Sequence, residues 1–334
     1  MLDLNTSSSS SKLSAVRLLA LFFFGFALCF AIVGTVLGDT FYVRLATEAL
    51  IFGGLALSVD LLLGYVGLLP LGQALFFGLG AYVSALVLTH WEASFWLAIA
   101  VSVVFCALAG LIGGLIAIRS KGVYFALISF GLAQVVSKVV YNTRELGASD
   151  GMTGVPVVTV VPGVQTDSPL GFFIVTWLVI GGLYLGLRYL MQTPMGRLFS
   201  AVRVNEHRVA FLGFDAWRFK LTAFVGAAVV AGLSGALYPM LRGFVSPELM
   251  FFQVSGNAVV QVILGGTGTL IGALYGSGLL TVLKSLLGSF TAHHHIVIGV
   301  LFVVVVIAFP RGIAGYLIPM LEARLSKNKK GGQA

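Results

Sequence analysis

The sequence predicts an all-α membrane protein of about ten transmembrane helices, with the N-terminus and the C-terminus cytoplasmic. Three observations predict it. The chain is 58% hydrophobic and only 10% charged, with a mean hydropathy of +1.03; soluble domains are about a quarter charged. Apolar runs near the roughly 20 residues that cross a bilayer recur along its length. The runs are continuous rather than alternating, which argues against the strands of a membrane barrel.

Taken in order, spans are expected at 18–37, 46–63, 72–89, 95–118, 122–141, 170–190, 221–241, 250–264, 270–287 and 296–309. The eighth and tenth are the shortest, and a run of about 15 residues also fits a re-entrant segment. The first run follows Lys12 and Arg17 as in a signal peptide, but it continues without a small-x-small stop and reads as a retained helix. Residues 1–14, with serines from Ser7 to Ser11, read as a disordered cytoplasmic start, 15–315 as one transmembrane domain and 316–334 as a cytoplasmic tail.

Charge sets the orientation, because basic residues collect in the cytoplasmic loops. With the N-terminus inside, 15 of the 20 basic residues fall in inner segments and five outside: Arg44, Lys138, Arg144, Arg242 and Lys284. The clusters around Lys121 and Arg203 then belong at the same end, with two spans between them. The net charge of +8 is therefore topological, and with no soluble basic face it does not point to nucleic acid. Lys327, Lys329 and Lys330 suit anionic headgroups. Cys29 and Cys106 lie inside apolar spans and read as small buried hydrophobes.

Two loops are long enough to have work to do: an outer one over 142–169 and an inner one over 192–220. The other turns are short, so neighbouring helices form antiparallel hairpins. The 42 glycines suit close helix packing in lipid, as at Gly110, Gly113 and Gly114 or at Gly226, Gly232 and Gly235. Leu63 to Leu69 and Leu264 to Leu270 share the pattern L-G-x-x-G-x-L. In a chain rich in Gly and Leu, chance explains such a match as readily as an internal repeat.

The chain lacks the motifs of a self-powered machine. There is no Walker A loop, since Gly278 to Ser285 ends in Lys284-Ser285 without the glycine before the lysine. There is no H-E-x-x-H and no G-x-S-x-G. His293, His294 and His295 cannot all face one ion on a regular element and read as an exposed outer turn. Polar residues inside spans are informative because they are costly in lipid. Glu48 and Asp60 share the second span but sit about 120° apart on the wheel. Gln73, Ser129, Gln134, Asn257 and Gln261 are neutral, and the last two, four apart, share a face. Either helix–helix hydrogen bonding or a pathway lining accounts for them. A self-sufficient secondary transporter or channel would depend on Glu48, Asp60 or Lys138; the mostly neutral set fits a passive path driven from outside the chain.

The inner loop is where such a drive can act. Pro194 and Gly196 end the sixth span, and Arg197 to Leu212 has helical potential. Leu198, Val202, Val209 and Leu212 are apolar, against Arg203, Glu206, His207 and Arg208. An amphipathic helix along the membrane surface has this pattern, and so does a helix seated in a cleft of a separate ATPase.

Three stretches resemble a known family. They are Gly64 to Tyr82 (GYVGLLPLGQALFFGLGAY), Arg119 to Leu127 (RSKGVYFAL) with Ser149 to Pro156 (SDGMTGVP), and Gly196 to Lys220 followed by GLSGALY from Gly232, FVSP from Phe244 and LGGTGT from Leu264. Together they resemble the permease subunits of bacterial ATP-binding-cassette importers of the branched-chain amino-acid type. The R-x-K-G-V-Y-F-A and S-D-G-M-T-G-V-P stretches look like the second of the two permeases in such systems.

The resemblance implies a heterodimer with a homologous permease, two cytoplasmic ATPases and an external substrate-binding protein, in the bacterial inner membrane. It implies no cofactor in this chain, ATP and magnesium being held by the ATPases. It assigns Arg203, Glu206 and Gly213 to coupling with the ATPase, and Asp150, Gly151, Thr153, Gly154 and Pro156 to contact with the binding protein. Asp60, Gln73, Gln134, Asn257 and Gln261 become expected path residues. Branched-chain amino acids are the expected cargo; other members carry urea, short amides or aromatic acids. Two positions depart from the family pattern: Asp60 stands where a neutral amide is more usual, and Pro70 where a small polar residue is usual.

Overall fold

A computed structural model describes residues 3–91, 94–161, 164–290, 299–300 and 312–331. The fold is helical, with eight helices long and apolar enough to cross a membrane among the described residues. Helix α1 covers Asp3–Val36, α2 Thr40–Asp60, α3 Gln73–Leu86, α4 Phe95–Ala117, α5 Val123–Asn142 and α6 Pro169–Gln192. The short pair α7 (Pro194–Val204) and α8 (Glu206–Phe211) precedes α9 (Ala216–Arg242), α10 (Phe252–Gly265), α11 (Ile271–Phe290) and α12 (Gly312–Gly331). Helix α1 is continuous from Asp3, where a disordered start was expected.

The described residues hold eight of the ten expected spans. Residues 250–264 form no full span: Pro247–Met250 is a 3-10 turn, Phe251 is extended, and α10 has 14 residues. That is about 21 Å of helix, short of a hydrocarbon core about 30 Å thick. The tenth, 296–309, lies outside the described residues apart from 299–300, and the His293–His295 run lies outside them altogether.

The core forms where small residues let backbones meet. Helix α9 runs against α2, α3 and α4. A Cβ at Gly235 would overlap the Phe77 carbonyl, and one at Gly110 would lie 2.6 Å from the Ala228 Cβ. Ser84 donates to the Ala236 carbonyl at 2.9 Å, so a buried hydroxyl is satisfied across α3 and α9. Cys106 is buried as expected, but Cys29 is exposed. It lies on α1, whose Leu21 and Phe22 are also exposed, so that helix packs along one face only.

Helix α2 continues as a π-helical turn over Leu61–Val66 that stops at Gly67, whose φ of +81° suits a residue without a Cβ. The chain then runs without helix to Gly72. Helix α3 begins inside the bundle, where the Ala74 N–H donates to the Ser255 hydroxyl of α10 at 2.9 Å. The outer loop carries two small antiparallel pairings. Strand β1 (Met152–Thr153) pairs with β4 (Phe244–Val245) after α9, and β2 (Thr159–Val161) pairs with β3 (Val164–Gln165). In the first, Met152 lies opposite Val245 and Thr153 opposite Phe244.

Candidate functional site

Two polar centres lie toward opposite ends of the bundle; along α9 they are marked by Lys220 and Arg242, about 33 Å apart at 1.5 Å per residue. At the end bearing α7 and α8, the expected single helix over Arg197 to Leu212 is broken. Asn205 is extended (φ −161°), and its side chain accepts from the Arg208 N–H at 3.1 Å, capping α8. Asp215 caps α9 in the same way through the Trp217 N–H. Gly213, at φ +83°, makes the turn between α8 and α9. Val202, Val209 and Ala216 close a small apolar cluster beneath the pair.

Glu206 ties this unit to the bundle. Its carboxylate lies 2.7 Å from the buried Lys220 ammonium of α9 and 3.5 Å from Lys121, just before α5. The Lys121 and Arg203 regions therefore share one end, as the charge pattern requires. Partial burial works to raise the Glu206 carboxyl, but the bond and charge of Lys220, helped by Lys121, outweigh it and hold the group below its ordinary value.

Arg203 reaches the other way. Its guanidinium donates to the Gly64 carbonyl in the π-helical turn. There the two L-G-x-x-G-x-L stretches meet, since a Cβ on Gly64 would lie 2.6 Å from the Gly268 Cα. Asp60 closes the joint. It is fully buried and accepts from the Gly268 N–H at 2.6 Å and the Leu270 N–H at 2.8 Å. Each charge-assisted bond of this kind contributes about 1.5–3 kcal/mol. The paired motifs thus form a clasp between the end of α2 and the turn from α10 to α11, with Arg203 of α7 laid against it.

The opposite end holds a cavity of about 600 Å³ between α2, α9, α10 and α11. Asn257 and Gln261 both line it, as their spacing predicts, and the Gln261 Oε1 has no partner among the described residues. Glu48 and Arg242 meet across it at 2.6 Å, and Arg44 and Lys284 line it too. Three cations thus face one carboxylate. These cations read as topology markers in the sequence; the signal that marks them as a set is their convergence from α2, α9 and α11, which no local pattern carries.

The outer loop lies over this end. The Val155 N–H donates to the Gly243 carbonyl at 3.1 Å, and Gly151 (φ +75°) backs onto the Val245 carbonyl, leaving no room for a Cβ. Pro156 and Asp167 line a smaller cavity of about 180 Å³ that shares Arg44 and Arg242 with the first. Asp150, Thr153 and Gly154 are exposed.

The five expected path residues are thus divided. Asn257 and Gln261 share the cavity, and Asp60 belongs to the clasp. Gln73 is buried at the start of α3, with neither amide atom partnered among the described residues. Gln134 is half-buried on α5, where its backbone carbonyl accepts from Ser137. Among the described residues no group of three His, Cys, Asp or Glu side chains could hold a metal ion.

The family profile described as branched-chain amino acid transport system / permease component matches residues 41–306. The chain belongs to this family. The permease is 30% identical over 319 residues to the high-affinity branched-chain amino acid transport system permease protein LivM of Escherichia coli, covering 87% of this chain and 74% of the relative. It is 23% identical over 290 residues to LivH of Salmonella typhimurium, covering 78% and 90%. A shorter stretch of 132 residues, 38% of this chain and 35% of the relative, is 32% identical to the autoinducer 2 import system permease protein LsrC of Yersinia enterocolitica. No solved structure matches the chain. The chain is thus a multi-pass transport subunit, and its resemblance to such permeases is borne out.

Proposed function

We propose that this permease is one of two membrane subunits of an ATP-driven bacterial importer for branched-chain amino acids, and that it forms half of the translocation path. The observation that carries the reading is the family match across 41–306, joined to the identity with LivM over 87% of the chain. The partner subunit is a homologous permease of the LivH kind. The α7–α8 end faces the cytoplasm, as do both termini, and an external binding protein meets the outer loop at Asp150, Gly151, Thr153, Gly154 and Pro156.

The proposed dock for the ATPases is the tip of α8. Phe211 is 91% exposed and Leu212 75%, at the end that carries Lys121, Glu206 and Lys220. Apolar side chains held out on a short capped helix suit a cleft in a partner. Arg203, Glu206 and Gly213 support that tip from below: the arginine through Gly64, the glutamate through Lys220, the glycine through the turn. In this arrangement the ATPases hold ATP and magnesium and this chain holds neither. Transport follows from differential affinity for substrate in two states of the permease pair.

The secondary-transporter reading gains nothing from the acids it needs, since Glu48 is paired with Arg242 and Asp60 is bound by two backbone amides. The test is purification in mild detergent, followed by reconstitution. Recovery of a second permease and an ATPase, with ATP-dependent leucine uptake, supports the reading. Uptake by this chain alone without ATP would overturn it.

A further inference from the structure

We propose that the cavity between α2, α9, α10 and α11 is a binding site for the carboxylate of a zwitterionic amino acid, with Arg44 and Lys284 as its specificity-determining residues. The inference rests on the importer reading above and names the place where substrate pauses in this chain. Charge is the first argument. Arg242 is neutralised by Glu48 at 2.6 Å. Arg44 and Lys284 line the same space and make no ion pair or hydrogen bond among the described residues. Among the described residues Glu48 is the one carboxylate in the lining and is already bonded to Arg242, so Lys284, which also feels its charge, and the exposed Arg44 in the first turns of α2 leave the cavity wall with an excess of positive charge; such an excess at membrane-spanning helices marks substrate or ion paths.

The remaining lining fits the rest of such a molecule. The Gln261 Oε1 is buried, unpartnered and able to accept from an ammonium group. Phe41, Phe52 and Val254 offer apolar surface for an aliphatic side chain. The volume, about 600 Å³, lies within the usual range for small-ligand sites. A molecule with a carboxylate, an ammonium and an apolar side chain satisfies each of these groups at once. The smaller cavity beneath the outer loop shares Arg44 and Arg242 with this one, so the same cations stand at the junction through which a released substrate would enter.

The test is protection from labelling. Ser285 lines the cavity, and Ser285→Cys in a Cys29→Ser background gives one reactive thiol in this chain, Cys106 being buried; labelling is read on this chain's band alone. The complete transporter is labelled with a water-soluble maleimide in phosphatidylcholine nanodiscs. Leucine at about ten times its dissociation constant should slow labelling about tenfold; leucinamide, which lacks the carboxylate, should not. Arg44→Gln and Lys284→Gln should each raise the leucine needed for half-protection at least about tenfold, the loss of one charged hydrogen bond, with the melting temperature unchanged.

Equilibrium dialysis with labelled leucine repeats the comparison without the added cysteine. Protection by leucinamide equal to that by leucine, or unaltered protection in both variants, overturns the proposal. Protection by phosphatidylglycerol nanodiscs and not by leucine also overturns it, in favour of a lipid headgroup. ATP-driven leucine uptake without protection would sink the site and leave the importer reading standing. Protection by leucine in a complex that takes up only other carboxylates would do the reverse.

Discussion

Removing the Asp60 carboxylate separates its two readings, as a path residue and as the lock of the clasp. The side chain is fully buried and accepts two backbone N–H groups, from Gly268 and Leu270. Asp60→Ala deletes both acceptors and leaves both donors dry. At about 1.5–3 kcal/mol for each charged bond, the loss is about 3–6 kcal/mol. Asp60→Asn keeps one carbonyl acceptor and loses the other bond, about 1.5–3 kcal/mol. At about 2 °C per kcal/mol, the alanine variant should melt about 6–12 °C lower than the wild type, and the asparagine variant about half as much lower. The assay is thermal unfolding of the purified chain in detergent, followed by tryptophan fluorescence. If both variants melted within about 1 °C of the wild type while uptake was lost, the clasp would be refuted and Asp60 would act on the path.

Further outcomes follow from the same geometry. Gly64→Ala should destabilise by about 1–3 kcal/mol, because its Cβ would meet the Gly268 backbone; a melting curve checks it. The lowered Glu206 carboxyl stabilises the folded state above its unfolded value of about 4.5. That contribution is lost as pH falls through the depressed folded value, so the wild-type melting temperature should fall more steeply in acid than that of Glu206→Gln. At neutral pH Glu206→Gln leaves the buried Lys220 without its charge partner; with Glu206 itself partly exposed, about 1–3 kcal/mol is expected. Phe211→Ser with Leu212→Ser should abolish co-purification of the ATPase while leaving the melting temperature within about 2 °C, since both side chains stand in solvent.

The spans were legible because the bilayer imposes a length that composition reveals. The structure moves most of their ends by only a few residues, as at α4, expected over 95–118 and found over Phe95–Ala117. The eighth span failed because hydropathy does not register the 3-10 turn at Pro247 or the extended Phe251 that together shorten α10. The break at Asn205 had a local signal, an asparagine able to cap a new helix through the N–H three positions later, which the amphipathic pattern on either side concealed. Asp60, expected among the path residues, stands at the clasp, a placement that no local pattern carries. Its partners lie 208 and 210 residues away, and one buried acid in a span looks the same whether it faces substrate or backbone amides. The repeat at Gly64 and Gly268 was too short to stand against chance, and only contact between its two copies gives it meaning.

The two centres are joined by the helices that carry them. Helix α2 places Glu48 on the cavity and Asp60 on the clasp, about 18 Å apart along its axis. Helix α10 places Asn257 and Gln261 on the cavity and ends at the clasp, while α9 holds Lys220 beneath Glu206 and Arg242 beside Glu48. A displacement of α7 and α8 therefore acts on α2 through Arg203 and on α9 through Glu206, and both helices bear on the groups that line the cavity. Rigid helices with contacts at each end can carry such coupling, but only a shared two-state equilibrium demonstrates it. The discriminating measurement is the nucleotide dependence of labelling at Ser285→Cys. In the intact permease, labelling should change when the proposed ATPases bind ATP. In Asp60→Asn the change should shrink while ATP hydrolysis continues. If the nucleotide response were undiminished in that variant, the clasp would serve stability alone, and coupling would have to run through Glu206 and α9.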